Sequence, residues 1–286
     1  MGGRGGKGGP GPGTGARNKR GPGAGGAGSG GVGGGGGGSS SGGGGKGTGS
    51  AGTGGIQTGG GSGSGGSAGG TTVPAYDLHN AKNLKIHYGE GLKPAEKAVQ
   101  QHLFDKMPDH LKARLFESGL KVWVGTRADE TPGWHEHAKA TGITSKSKIA
   151  DGREVGSLSF YMGSRNELFI SVHHPGGSKN VYVHEMGHAV DYQWTGDGRL
   201  ISNDSEWIAL HEKYIRNNPL INSYYRGGPS GTNAASGRKE LFAEGFAIYN
   251  EAGGGEAGRM RLMAFVGSKA AADEIIAIWK RYGVVK

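Results

Sequence analysis

The chain contains no cysteine, which excludes disulfide frameworks, cysteine zinc fingers and thiol nucleophiles. It has no apolar run near the ~18–20 residues of a membrane-spanning helix. Basic residues near the N-terminus have no apolar segment behind them, so no ordinary signal peptide is expected. Other absences concentrate at the start. Residues 1–70 hold no aromatic residue, no acid and no histidine, and their large apolar side chains are Met1, Val32 and Ile56 alone. They hold instead 39 of the 64 glycines of the 286-residue chain. Such a segment cannot bury enough apolar surface to offset the entropy of ordering it.

The expected organisation is therefore a glycine-rich, disordered, basic tail over residues 1–72 and one folding domain over 73–286. The composition changes at Thr71-Thr72-Val73-Pro74. About 216 residues are enough for one sizeable core. The tail carries Arg4, Lys7, Arg17, Lys19, Arg20 and Lys46, six of the nine net positive charges, so the remainder is only mildly basic. Charge placed on a flexible leash suits a solubilising tether with weak contact to anionic surfaces. One Arg4-Gly5-Gly6 unit with no aromatic beside it is too little for nucleic-acid recognition, which is therefore not expected.

Pro94 opens a helical pattern of Val99, Leu103, Phe104 and Met107, and Pro108 ends it or starts the next. Leu111, Leu115 and Phe116 continue the stripe. Residues 120–124 read as a short strand, and 125–154, polar and glycine-punctuated, as a long loop. Ser157–Met162 and Leu168–Val172 flank Gly163-Ser164-Arg165-Asn166 and read as a hairpin. Helical patterns then cover 180–194, 204–215, 238–251, 257–265 and 269–282. Helices, a small antiparallel or mixed sheet, then a helical half make an α+β domain.

The chemistry lies in Val183-His184-Glu185-Met186-Gly187-His188-Ala189-Val190-Asp191, which contains H-E-x-x-H. Residues four apart share one helical face at about 5–6 Å between Cβ atoms. His184 and His188 can therefore converge on one metal ion, with Glu185 beside it to take a proton from a bound water. The longer H-E-x-x-H-x-x-G-x-x-H pattern does not follow, because position 194 is Trp. A third ligand must come from elsewhere. The next acid cluster is Arg238-Lys239-Glu240-Leu241-Phe242-Ala243-Glu244, where Glu240 and Glu244 share a helical face. Ala247 lies on that face too, a small residue that would let the two helices approach. Asp191, seven after His184, is a candidate to support a ligand from behind. His135, His137, His173 and His174 lack matching partners at metal-site spacing.

HEMGHAVDY followed by ELFAEGF resembles the zinc domains of the anthrax lethal factor metalloproteases and the secreted Pro-Pro endopeptidases. The resemblance implies a zincin-like fold, Zn2+ as cofactor and hydrolysis of a peptide or protein substrate. It assigns Glu240 as the third zinc ligand and Glu244 as the brace of a ligand histidine. It also implies a secreted or particle-associated, toxin-like protein. One position departs from the pattern. Where the family has a Tyr seven residues before the ligand Glu to stabilise the oxyanion, this chain has Asn233. The nearest tyrosines are Tyr224 and Tyr225, and a folded-back loop could return Tyr225 to the site.

The reading is a zinc-dependent metalloendopeptidase in which His184, His188 and Glu240 hold zinc and Glu185 activates the zinc-bound water. The alternative is a zincin-fold binding or structural module, catalytically weak or inactive, tethered by the tail.

Overall fold

The computed structural model describes residues 75–149, 152–174, 178 and 180–286. The glycine-rich segment 1–72 lies outside the described residues. The described residues have the α+β architecture expected, a four-stranded sheet whose first three strands are separated in the chain by helices and which a helical half follows.

The strands are β1 (Ile86–Tyr88), β2 (Lys121–Gly125), β3 (Phe160–Met162) and β4 (Glu167–Ser171), in the spatial order β1-β2-β4-β3. β1 and β2 run parallel, as do β2 and β4, while β3 returns antiparallel on β4 with Phe160 opposite Phe169. The expected hairpin is thus present, and the sheet is mixed. Side chains alternate across it as a two-residue period requires. Val122, Val124, Leu168 and Ile170 enter the main core, whereas Trp123, Phe160 and Phe169 enter a smaller one on the other face. Burial on both faces explains why β4 reads as a continuous apolar run.

The helices are α1 (Pro94–Asp105), α2 (Asp109–Glu117), α3 (Trp134–Thr141), α4 (Val181–Gln193), α5 (Ser205–Tyr214), α6 (Ser223–Gly227), α7 (Ala234–Glu251), α8 (Gly255–Val266) and α9 (Lys269–Arg281). Pro94 stands at the first position of α1 and Pro108 precedes α2. α3 corrects the expectation of a long loop over 125–154. It is eight residues long and ends on Gly142 at φ +72°, too short to show periodicity. It closes the smaller core by setting Trp134 edge-on against Phe160 and Phe169 and placing His137 4.7 Å from the Phe169 ring.

α4 runs under the sheet against β3 and β4, and every residue from Val181 to Asp191 is buried. Asn180 caps it by accepting from the Tyr182 and Val183 amides at 3.1 and 3.4 Å, which satisfies donors that a helix start leaves open. α7 packs across α4. The close approach occurs at Gly187, where a Cβ would lie 2.8 Å from the Ala243 Cα. Ala247, expected at that contact, stands one turn farther along α7.

Candidate metal and catalytic site

α4 contributes His184, Glu185 and His188, and α7 contributes Glu240 and Glu244, to one cluster of acids and bases between them. The His184 Nε2 lies 3.5 Å from Glu240 Oε2, and the His188 Nε2 lies 3.4 Å from the same oxygen. The two imidazole rings stand 5.0 Å apart and nearly perpendicular. All three side chains are buried. Neither Nε2 has a hydrogen-bond partner among the described residues. Among the described residues, His184, His188 and Glu240 are the one group of three whose ligand atoms gather closely enough to hold a metal ion.

This donor set fits a tetrahedral metal. With metal–ligand bonds of ~2.0–2.1 Å, the edge between two ligand atoms of a tetrahedron is about 3.3–3.4 Å. The observed spacings are close to that edge and longer than good N–H···O bonds. Two buried imidazole nitrogens without hydrogen bonds also need a reason, since orphaned polar atoms are costly in an interior. A cation between them and Glu240 supplies one.

Behind the histidines, Glu244 Oε2 lies 2.8 Å from His184 Nδ1. A carboxylate accepts there, so Nδ1 carries the proton and Nε2 turns its lone pair toward Glu240. Glu185 is fully buried on the same helix and accepts from the Tyr161 backbone amide of β3. Burial pushes its carboxyl up to about 8; the Glu240 and Glu244 charges add to this while His184 and the Tyr161 amide oppose it. A carboxylate raised this far is a stronger base than an exposed one.

The chain before α7 brings Tyr224 and Tyr225 beside the acids of the site. Asn233 caps α7, its side chain accepting from the Ser236 amide. The segment after α6 turns back, and the Asn233 amide donates to the Gly227 carbonyl at 2.9 Å. Gly237 permits this, because a Cβ there would fall 2.5 Å from the Arg226 carbonyl carbon. α6 is thereby seated on the first turn of α7. It is Tyr224 whose phenol faces the site. Burial raises its pKa, and the nearby Glu240 and Glu185 charges raise it further. Tyr225 turns away to pack edge-on against Phe265 at 4.9 Å, on the Glu244 side. In sequence, the cue for Tyr224 was only the Tyr-Tyr pair ahead of a glycine-rich return.

No protein-family model matches the chain, and no curated protein matches it. Among solved structures, that of the Pro-Pro endopeptidase PPEP-2 from Paenibacillus alvei is similar, with a TM-score of 0.46 and 18% identity over 69% of this chain and 98% of that chain.

The other histidines and Asp191 go elsewhere. Asp191 accepts from the Ser202 amide and hydroxyl at 2.6 and 2.7 Å, anchoring the turn Ile201–Asn203 rather than supporting a histidine. His137 is buried against Glu167, Nδ1 to Oε2 at 3.1 Å. His173 pairs with Glu96 at 2.9 Å on the surface. His135 and His174 belong to no metal-ligating group among the described residues.

Proposed function

We propose that this chain is a zinc-dependent metalloendopeptidase. The observation that carries the reading is the convergence of His184 Nε2 and His188 Nε2 on one Glu240 oxygen, with the Glu185 carboxyl beside them. His184, His188 and Glu240 are the ligands in this reading, and Glu244 orients His184. Two histidines and one carboxylate, with no thiolate available, suit zinc over softer-ligand metals. Zinc bound there would polarise a peptide carbonyl and make a water it holds acidic at neutral pH.

The protein's own groups do the rest. Glu185 accepts a proton from the attacking water and passes it to the leaving nitrogen, a shuttle suited to a carboxyl raised toward neutrality. The Tyr224 phenol donates a hydrogen bond to the carbonyl oxygen as negative charge develops on it. β3 forms the sheet edge and runs past Glu185, to which its Tyr161 amide is bonded. An extended substrate chain laid along that edge would pair with its backbone and bring one carbonyl to Glu185.

An untargeted peptide-library digest, with and without chelator, tests the reading. Cleavage that stops on chelation and returns with zinc, together with about one zinc per chain, is the expected result. No cleavage by zinc-loaded protein refutes it.

A further inference from the structure

The Tyr224 hydroxyl is buried and has no hydrogen-bond partner among the described residues. The direction of its phenol is therefore set where its backbone is held. That backbone is α6, five residues long and too short to stand on its own hydrogen bonds. Asn222 caps its start by accepting from the Tyr224 amide at 2.9 Å, and the Gly228 amide donates to the Tyr224 carbonyl at 2.8 Å. The next carbonyl, that of Tyr225, is one of those a helix end leaves open. A side chain from another helix fills it. His211 of α5 places its Nε2 3.0 Å from the Tyr225 carbonyl oxygen.

We infer that His211 is a positioning residue for the reaction: by holding α6 from α5, it keeps the Tyr224 phenol turned toward Glu240 and Glu185. The inference rests on the peptidase reading. His211 is fully buried, and its Nδ1 has no hydrogen-bond partner among the described residues. A half-satisfied imidazole is costly in an interior. An apolar side chain would fill the same space without that cost; what it would not supply is the bond to α6. Burial lowers the His211 pKa from its ordinary 6.5, against the Tyr225 hydrogen bond that raises it. The ring is thus neutral, and its one proton sits on Nε2, because a carbonyl can only accept. α5 is in turn tied to the ligand-bearing helix. Trp207 Nε1 donates to the Arg238 carbonyl at 3.3 Å, two residues before Glu240. Trp207 and His211 are four apart and share one buried face of α5. One turn of α5 therefore sets the backbone of the metal-binding acid and that of the tyrosine against a common frame.

The test uses the full zinc-loaded chain with two substitutions. In His211→Gln the amide nitrogen reaches about as far as Nε2, whereas in His211→Asn it stops short. His211→Leu, which fills the space without a donor, replaces His211→Asn if that variant does not fold. On a peptide cleaved in the library digest, His211→Asn should lower kcat ~10²-fold with little change in KM, the scale of a misplaced reacting group. His211→Gln should recover most of that loss. In a Tyr224→Phe background, His211→Asn should add no more than ~2-fold, because residues acting through one interaction are not additive. Zinc affinity should be the same in all of these chains. The second readout needs no catalysis. Amide hydrogen exchange over 222–233 should be faster in His211→Asn than in His211→Gln or the wild type. Wild-type kcat in His211→Asn, or its full loss repeated in the Tyr224→Phe background, overturns the inference and leaves the peptidase standing. Equal exchange in all three chains overturns the hold on α6. No cleavage even by the wild-type chain overturns the peptidase, and the exchange rates then decide by themselves whether His211 holds α6.

Discussion

Gly187 of α4 lies against Ala243 of α7 so closely that a Cβ on the glycine would sit 2.8 Å from the Ala243 Cα and 3.0 Å from its carbonyl oxygen. Gly187 stands between His184 and His188, and Ala243 between Glu240 and Glu244. The spacing of the two backbones at this point sets the distance between the histidine pair and the glutamates. Gly187→Ala should gain helix propensity of up to ~1 kcal/mol yet lose ~1–3 kcal/mol to overpacking. A lower Tm and weaker zinc affinity are expected, by calorimetry and by competition with a chelating dye. An unchanged zinc Kd would separate the helix contact from the ligand geometry.

Glu185→Gln keeps size and shape but cannot accept a proton. Zinc content and Tm should hold, while the cleavage rate falls by more than the ~10²–10⁴ of a simple acid–base contribution, because water activation also fails. Wild-type turnover in this variant would rule out Glu185 as the base.

Among the acids of α7, Glu240→Ala should lose zinc nearly as completely as His184→Ala or His188→Ala. Glu244→Ala should weaken zinc binding by roughly 10–100-fold, the usual cost of removing the partner of a ligand histidine. Isothermal titration distinguishes them, and the reverse order would move the ligand to Glu244.

The two tyrosines should behave differently. Tyr224→Phe removes one donor to a developing oxyanion and should lower kcat ~10²–10³-fold with little change in KM. Tyr225→Phe keeps the ring that packs on Phe265 and should stay close to wild type. Equal losses in both would show that the phenols act on structure and not on the reaction.

Away from the site, Glu167 is buried and accepts from His137 Nδ1 at 3.1 Å and from Arg165 at 2.7 and 3.1 Å. Burial alone would raise its pKa, but the His137 and Arg165 hydrogen bonds outweigh it and hold the carboxyl below its ordinary 4.5. A folded-state value below the unfolded one contributes stability that is present above about pH 4.5 and lost as pH falls through the folded value. Thermal melts should therefore drop on acidification below that point. Glu167→Gln should melt lower at pH 7 yet lose less on acidification; a parallel pH profile would place the acid sensitivity elsewhere.

Much of this molecule could be read from local pattern. The proline at the start of α1, the stripe of α9 and the alternation of the β3–β4 hairpin are properties of a few neighbouring residues, so composition and period sufficed. The H-E-x-x-H pair is equally local, because one turn of helix brings His184 and His188 to the same face. α3 carries no sequence signal because eight residues with Trp134 and His137 as inward anchors show no period; it is held by packing on Phe160 and Phe169 rather than by propensity. The parallel pairing of β2 with β4 and the meeting of α4 with α7 depend on the path of the chain between them. So does the seat of Tyr224, which Gly237 permits by letting the backbone of α6 rest on α7. Glu240 could be nominated from its distance after His188, but its approach to 3.4–3.5 Å from both histidines requires the bare backbone at Gly187. Periodicity reports which face of an element is apolar. It carries no information about how closely two backbones pass or which of two adjacent tyrosines turns inward, since those are settled by side chains more than a dozen residues apart meeting in one packed core.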